Sequence, residues 1–154
     1  MNNFVASSFE LLYIGPKHHV DHEFDSAVNQ LSPQFVKIYN QALAAENSDL
    51  DELAGIGYRK ALEFLVKDFC IHLHPDHEDE IKAKYLTQCI KEYIDNPQIR
   101  TLAEKATWIG NDETHYIRKQ EDRDISDMKN FINAMVYFVG MVLIVEDAET
   151  ITPA

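Results

Sequence analysis

The sequence has little that breaks a helix and little that staples a chain. Five glycines and five prolines in 154 residues are too few for an all-β sandwich, which needs a turn roughly every dozen residues or fewer. Cysteine is almost missing. Cys70 and Cys89 fit no Cys-x-x-Cys spacing, which argues against a disulfide scaffold and predicts free, buried thiols in a reducing compartment. Positive charge is scarce as well: 14 Lys and Arg against 26 Asp and Glu leave a net charge of −12. Such a field repels phosphate at long range and argues against a generic nucleic-acid coat protein. A local basic patch would have to draw on four arginines, Arg59, Arg100, Arg118 and Arg123. There is no phosphate-cradling glycine loop, no Gly-x-Ser-x-Gly elbow and no Cys–His nucleophile pattern. The opening Met1-Asn2-Asn3-Phe4 has neither the basic nor the apolar region of a secretory signal, so a cytoplasmic protein is expected.

What is present is apolar and helical. Apolar residues make up 45% of the chain, with eight Phe, seven Tyr and one Trp, enough for a single domain with its own core. Residues 1–31 are the least helical part. There the run Phe9, Leu11, Leu12, Tyr13 and Ile14, ended by Gly15-Pro16, predicts an edge strand or an arm packed on the body. Ser32-Pro33 is a helix start, followed at helical period by Phe35, Ile38, Tyr39, Ala42 and Leu43. Asp49 with Glu52 signals a second N-terminus, and this second helix runs to Pro75. Gly55 and Gly57 weaken its first half by roughly 1 kcal/mol each, so a packing reason for them is expected. A third helix is predicted over 79–93, a fourth from Asn96-Pro97 to near Gly110, and a fifth from the Asp124 cap to about Val145. The expectation is therefore an all-α bundle of about five helices over 32–145, with a short non-helical arm before it and a loose acidic tail over 146–154.

Residues 131–145 are apolar at every position except Asn133 and Gly140. Fifteen residues fall short of the ~20 needed to cross a bilayer. The stretch reads as a central buried helix or as part of a subunit interface, giving an expected homodimer and no membrane partner.

The most unusual local sequence is Trp108-Ile109-Gly110-Asn111-Asp112-Glu113-Thr114-His115-Tyr116. Read as structure, it is a helix C-cap with Gly110 or Asn111 in the left-handed conformation. Read as function, His115 moves a proton or binds a ligand, oriented by a neighbouring carboxylate. Arg59 and Glu63 form an i, i+4 pair that is either a solvated ion pair or an arginine facing the Asn111–His115 segment. The histidines near His18, His19 and His22, and those at His72, His74 and His77, lack the frame of a zinc site. No metal and no cofactor are expected.

The stretches Gly57-Tyr58-Arg59-Lys60-Ala61-Leu62-Glu63-Phe64-Leu65 and Trp108-Ile109-Gly110-Asn111-Asp112-Glu113-Thr114-His115 resemble the two signature segments of the domain-of-unknown-function family 4145. The resemblance covers most of the chain, roughly residues 30–145. That family is similar to the HEPN superfamily of helical bundles, which usually dimerise and occur in defence and toxin–antitoxin systems. Several of its members are metal-independent ribonucleases that pair a histidine with an arginine five to seven positions before it. His115 matches the motif histidine and Asn111 the polar residue that often follows the arginine. The arginine itself has no match, because Trp108, Ile109 and Gly110 occupy the available positions. The Cys-rich metal knuckle frequent in the family also has no counterpart here.

The resemblance implies a HEPN-like binding or regulatory module rather than a ribonuclease, since phosphoryl transfer needs a cation where charge develops. Its ligand would be RNA, a nucleotide or a protein partner. Candidate binding residues are Arg59, Glu63, Trp108, Asn111, Asp112 and Arg118. One rival is a ribonuclease with His115 as the catalytic acid/base and Arg118 or Arg59 supplying the charge. The other is an acidic protein that mimics nucleic acid or binds a basic partner.

Overall fold

The computed structural model describes residues 19–119 and 122–154. The apolar run 9–14 and His18 lie outside them. Among the described residues every regular element is helical: α1 (Ser26–Leu31), α2 (Pro33–Asn47), α3 (Asp51–Leu73), α4 (Glu78–Ala83), α5 (Leu86–Tyr93), α6 (Pro97–Asp112) and α7 (Ile125–Glu149), with one 3₁₀ turn at Pro75–His77. The all-α expectation is met, with two more helices than the apolar periodicity indicates.

One extra helix, α1, falls inside the segment expected to be a non-helical arm. It is a turn and a half long and buries only Val28, too short to leave a periodic signature. The other comes from the segment 79–93, which breaks because Lys84 is extended at ψ 155°. Tyr85 then caps α5, with Gln88 returning to its backbone N–H at 3.2 Å. No glycine or proline marks that break. Two further expectations are corrected. The α3 N-cap is Leu50, without a side-chain bond, and Asp49 instead takes the left-handed conformation at φ 59°. Helix α7 continues to Glu149, so the first four residues of the supposed tail are helical, and Glu146 meets His72 of α3 at 2.6 Å. Other starts fall where the sequence puts them. Asn96 accepts from the backbone of Gln98 and Ile99, and Asp124 forms a capping box with Asp127, each satisfying N–H groups that a helix end leaves open.

Helix α3 is the axis of the molecule and touches each of the other helices. It buries Ala54, Tyr58, Ala61, Leu62, Leu65, Val66, Phe69 and Cys70, so more than one stripe of its surface is packed. Phe24, Phe35, Tyr39 and Tyr58 form an aromatic chain with successive centroids 5.0–5.6 Å apart, which carries residues 19–31 onto the body. Asn40 clamps the same segment, accepting from the His22 N–H at 2.7 Å and donating to the His22 carbonyl at 3.2 Å. The Tyr58 hydroxyl donates to Glu46 of α2 at 2.5 Å, and Lys129 of α7 reaches the same carboxylate oxygen at 2.8 Å. Burial, reinforced by Glu46, pushes the Tyr58 phenol well above its usual range. Cys70 and Cys89 are free and buried. Desolvation, with Cys89 adding to it, pushes the Cys70 thiol up to about 12, so it is an apolar packing group rather than a nucleophile.

Helix α7 is not enclosed. Met128, Ile132, Met135, Val136, Val139 and Gly140 face the body, whereas Tyr137, Met141, Ile144 and Val145 are exposed. The expectation of a fully buried central helix is therefore corrected: α3 holds that place, and α7 keeps an open apolar stripe. With 25 residues, α7 also has the length and composition of a membrane span, a test that core helices of soluble proteins pass too.

The expected packing reason for Gly57 is its contact with α2. A Cβ there would stand 2.8 Å from Ala42 Cβ and 3.3 Å from Ala42 Cα, and backbone cannot swing aside. Gly57→Ala is expected to lower the melting temperature by several degrees, about 1–3 kcal/mol of overpacking outweighing the roughly 1 kcal/mol of helix propensity gained. Thermal denaturation followed by circular dichroism checks this.

Candidate functional site

The last turn of α6 and the turn after it are held from below by α3. Gly110 lets the helices close, because a Cβ there would lie 2.6 Å from Arg59 Cδ and 3.1 Å from Met128 Sδ. Gly110 is thus an interior helical residue, and neither it nor Asn111 is left-handed, which corrects the C-cap reading. Gly55 plays the same part for Glu113, whose Oε2 would be 2.7 Å from an added Cβ. The Glu113 side chain is only 7% exposed and is paired with Arg118.

The two segments of the sequence resemblance meet here. Arg59 Nε donates to Asn111 Oδ1 at 3.1 Å, and its Nη1 to Glu63 Oε2 at 3.5 Å. Glu63 also takes Lys67 at 3.3 Å. The Arg59 side chain is 19% exposed. Burial lowers its pKa and Glu63 opposes that shift, as expected for a guanidinium kept charged by a carboxylate partner. Asp112 accepts the Lys119 N–H at 3.0 Å, and Thr114 Oγ1 donates to the Asn111 carbonyl at 2.8 Å. These bonds close the turn and lift His115 to the surface.

Above the turn lies a cleft of about 290 Å³ lined by Trp108, Asn111, Asp112, His115 and Lys119. His115 and Trp108 are both exposed, Trp108 by 46%. Trp108 is therefore not a core residue, and the Lys105 ammonium sits 3.5 Å from the centre of its ring. No arginine lines this cleft. Arg118 is turned to Glu113, Arg59 to Asn111 and Glu63, and Arg100 donates to the Ile94 carbonyl at 2.9 and 2.6 Å. Three of the four arginines on which a basic patch would draw are thus engaged with groups of this chain. Lys105, which covers the Trp108 ring from outside this cleft, is the group that sequence reasoning passed over, although its i, i+3 spacing to Trp108 is the signal of a helical cation–π pair.

Of the other described histidines only His74 and His77 lie ring to ring, at 6.4 Å. His19 meets Asp21 at 2.8 Å, His74 the Tyr93 carbonyl at 3.1 Å and His77 Glu80 at 3.1 Å, while His22 packs against Phe24. Among the described residues no three His, Cys, Asp or Glu side chains converge as metal ligands would.

Comparison with known proteins finds no matching family model, no matching curated protein and no matching solved structure. Any function must therefore be argued from the site.

Two substitutions separate support from display. Arg59→Ala takes the guanidinium away from Asn111 Oδ1 and leaves Glu63 with Lys67 alone, and is expected to cost about 1–3 kcal/mol. Trp108→Ala removes a half-exposed ring and is expected to cost less than about 1 kcal/mol. Chemical denaturation of both variants measures the difference.

Proposed function

We propose that this chain is a HEPN-like binding or regulatory module that works as a homodimer in a defence or toxin–antitoxin type setting, with the Trp108–His115 cleft contacting its ligand. The observation that carries the reading is the pairing of both nearby arginines. Arg59 and Arg118 are each committed to residues of this chain, so the cleft offers His115 and Lys119 but no guanidinium. A phosphoryl-transfer site of the arginine–histidine kind needs a guanidinium free to meet developing charge, whereas a ligand site needs an exposed aromatic and a few convergent polar groups. The acidic-mimic reading gains less support, since it gives the exposed Trp108 no role.

Dimerisation is supported by the open face of α7. From residue 130 to residue 145 the sequence carries no charge, in a chain whose net charge is −12. Two copies of so acidic a protein approach best through an uncharged patch, because like charges across an interface repel. A self-complementary apolar stripe suits a two-fold contact.

Two experiments test the reading. Purified protein incubated with total cellular RNA in EDTA is expected to give the same fragment pattern as His115→Ala. Cleavage by the wild type alone would overturn the binding-module assignment. Light scattering at micromolar concentration is expected to give twice the chain mass, and Tyr137→Glu with Met141→Glu to halve it. A monomeric wild type would refute the dimer.

A further inference from the structure

A cleft of about 490 Å³ opens between α1 and α7, with His72 of α3 at its side, within the size range of small-molecule sites. It shares no residue with the cleft at His115. Its apolar wall comes from Leu31, Leu143 and Ile144. Its polar groups are Ser26 and Gln30, one turn apart on the same face of α1, and Asp147 of α7. Beside them His72 Nε2 meets Glu146 Oε2 at 2.6 Å and ties α7 to α3. No lysine or arginine lines the cleft.

Among the described residues no hydrogen bond or ion pair engages the side chains of Ser26, Gln30 or Asp147. Each brings an oxygen that accepts: a hydroxyl, an amide carbonyl and a carboxylate. An ammonium has three donors and no acceptor, so three acceptors and no competing cation suit it. Elsewhere the chain answers its carboxylates with its own lysines, as at Glu63 with Lys67 and Glu80 with Lys84. Asp147 has no such answer, and it stands where one matters most. The last turn of α7 holds Glu146, Asp147 and Glu149 and no basic residue. The C-terminal end of a helix already carries negative partial charge, so a cation there offsets both the carboxylates and the helix end.

We infer that this cleft binds a primary amine on an apolar stem, the ammonium held by Asp147, Gln30 and Ser26 and the stem laid against Leu31, Leu143 and Ile144. The inference is independent of the reading of the Trp108–His115 cleft and gives the chain a second ligand chemistry.

Hexylamine is titrated into the full chain and followed by nitrogen–proton NMR, in which the Gln30 side-chain amide reports the cleft directly. Hexanol, hexanoate and methylamine are the controls for charge, sign of charge and stem. Hexylamine is expected to shift the Gln30 amide saturably at millimolar concentration. Hexanol and methylamine are expected to bind at least about tenfold more weakly, the scale of one charge-assisted bond or of a few buried methylenes, and hexanoate not at all. Asp147→Asn, a surface change whose folding is checked by circular dichroism, is expected to weaken hexylamine about tenfold. Glu52→Gln removes the same charge at the far end of α3 and is expected to change nothing. The proposal is overturned if hexylamine does not move the Gln30 amide, if methylamine or hexanoate binds as well, or if Asp147→Asn is without effect. Equal losses in Asp147→Asn and Glu52→Gln would also overturn it, by reducing the binding to general attraction toward an acidic protein. Ile144 borders both this cleft and the open stripe of α7, so the light-scattering mass is expected to stay the same with hexylamine bound. A mass halved by the amine would place it in the contact between copies and overturn the cleft assignment, leaving the dimer reading standing.

Discussion

Four of five consecutive residues in α3 each answer to a different part of the molecule, and the rest of the structure is arranged around that constraint. Gly55 makes room for Glu113, Gly57 for Ala42 of α2, Tyr58 bonds Glu46, and Arg59 reaches Asn111 of α6. Glu46 in turn takes Lys129 of α7, so one carboxylate joins three helices around a fully buried tyrosine. A buried hydroxyl or guanidinium without a partner costs far more than its bond contributes when made. These contacts therefore specify one arrangement of α2, α3, α6 and α7 more sharply than apolar packing alone would.

The exposed residues of the candidate site depend on that buried layer. Trp108, His115 and Lys105 can face solvent because Gly110, Asn111 and Glu113 beneath them are held by α3. The division also accounts for the charges. Arginines, which bind planar partners through a rigid fork, are used at Arg59, Arg100 and Arg118 to tie the chain to itself. Lys119 is left at the His115 cleft, where a compact mobile charge can change partners.

Much of the helical framework was legible in the sequence because its starts are chemical. Pro33, Asn96-Pro97 and Asp124 announce helix N-termini through groups that fill or remove open donors, and each begins a helix where expected. The two glycines of α3 also declared themselves, since nothing but packing justifies them in a helix. What stayed hidden has physical causes. Helix α1 is too short for a period to register, and the break at Lys84 uses no breaker residue. The orientation of α7 could not be read because a helix apolar on every side has no moment to say which face is covered. At the site, the contact between Arg59 and Asn111 spans 52 positions that no local pattern bridges. The sequence singled out both residues without showing that their meeting leaves His115 without an arginine.

The run from Gly55 to Arg59 also governs which length changes the gene can accept. An α-helix turns about 100° per residue, so one residue gained or lost upstream of Gly55 within α3 would swing all four contacts to the wrong neighbours at once. Length polymorphism should therefore be purged from α3 and leave it invariant in length.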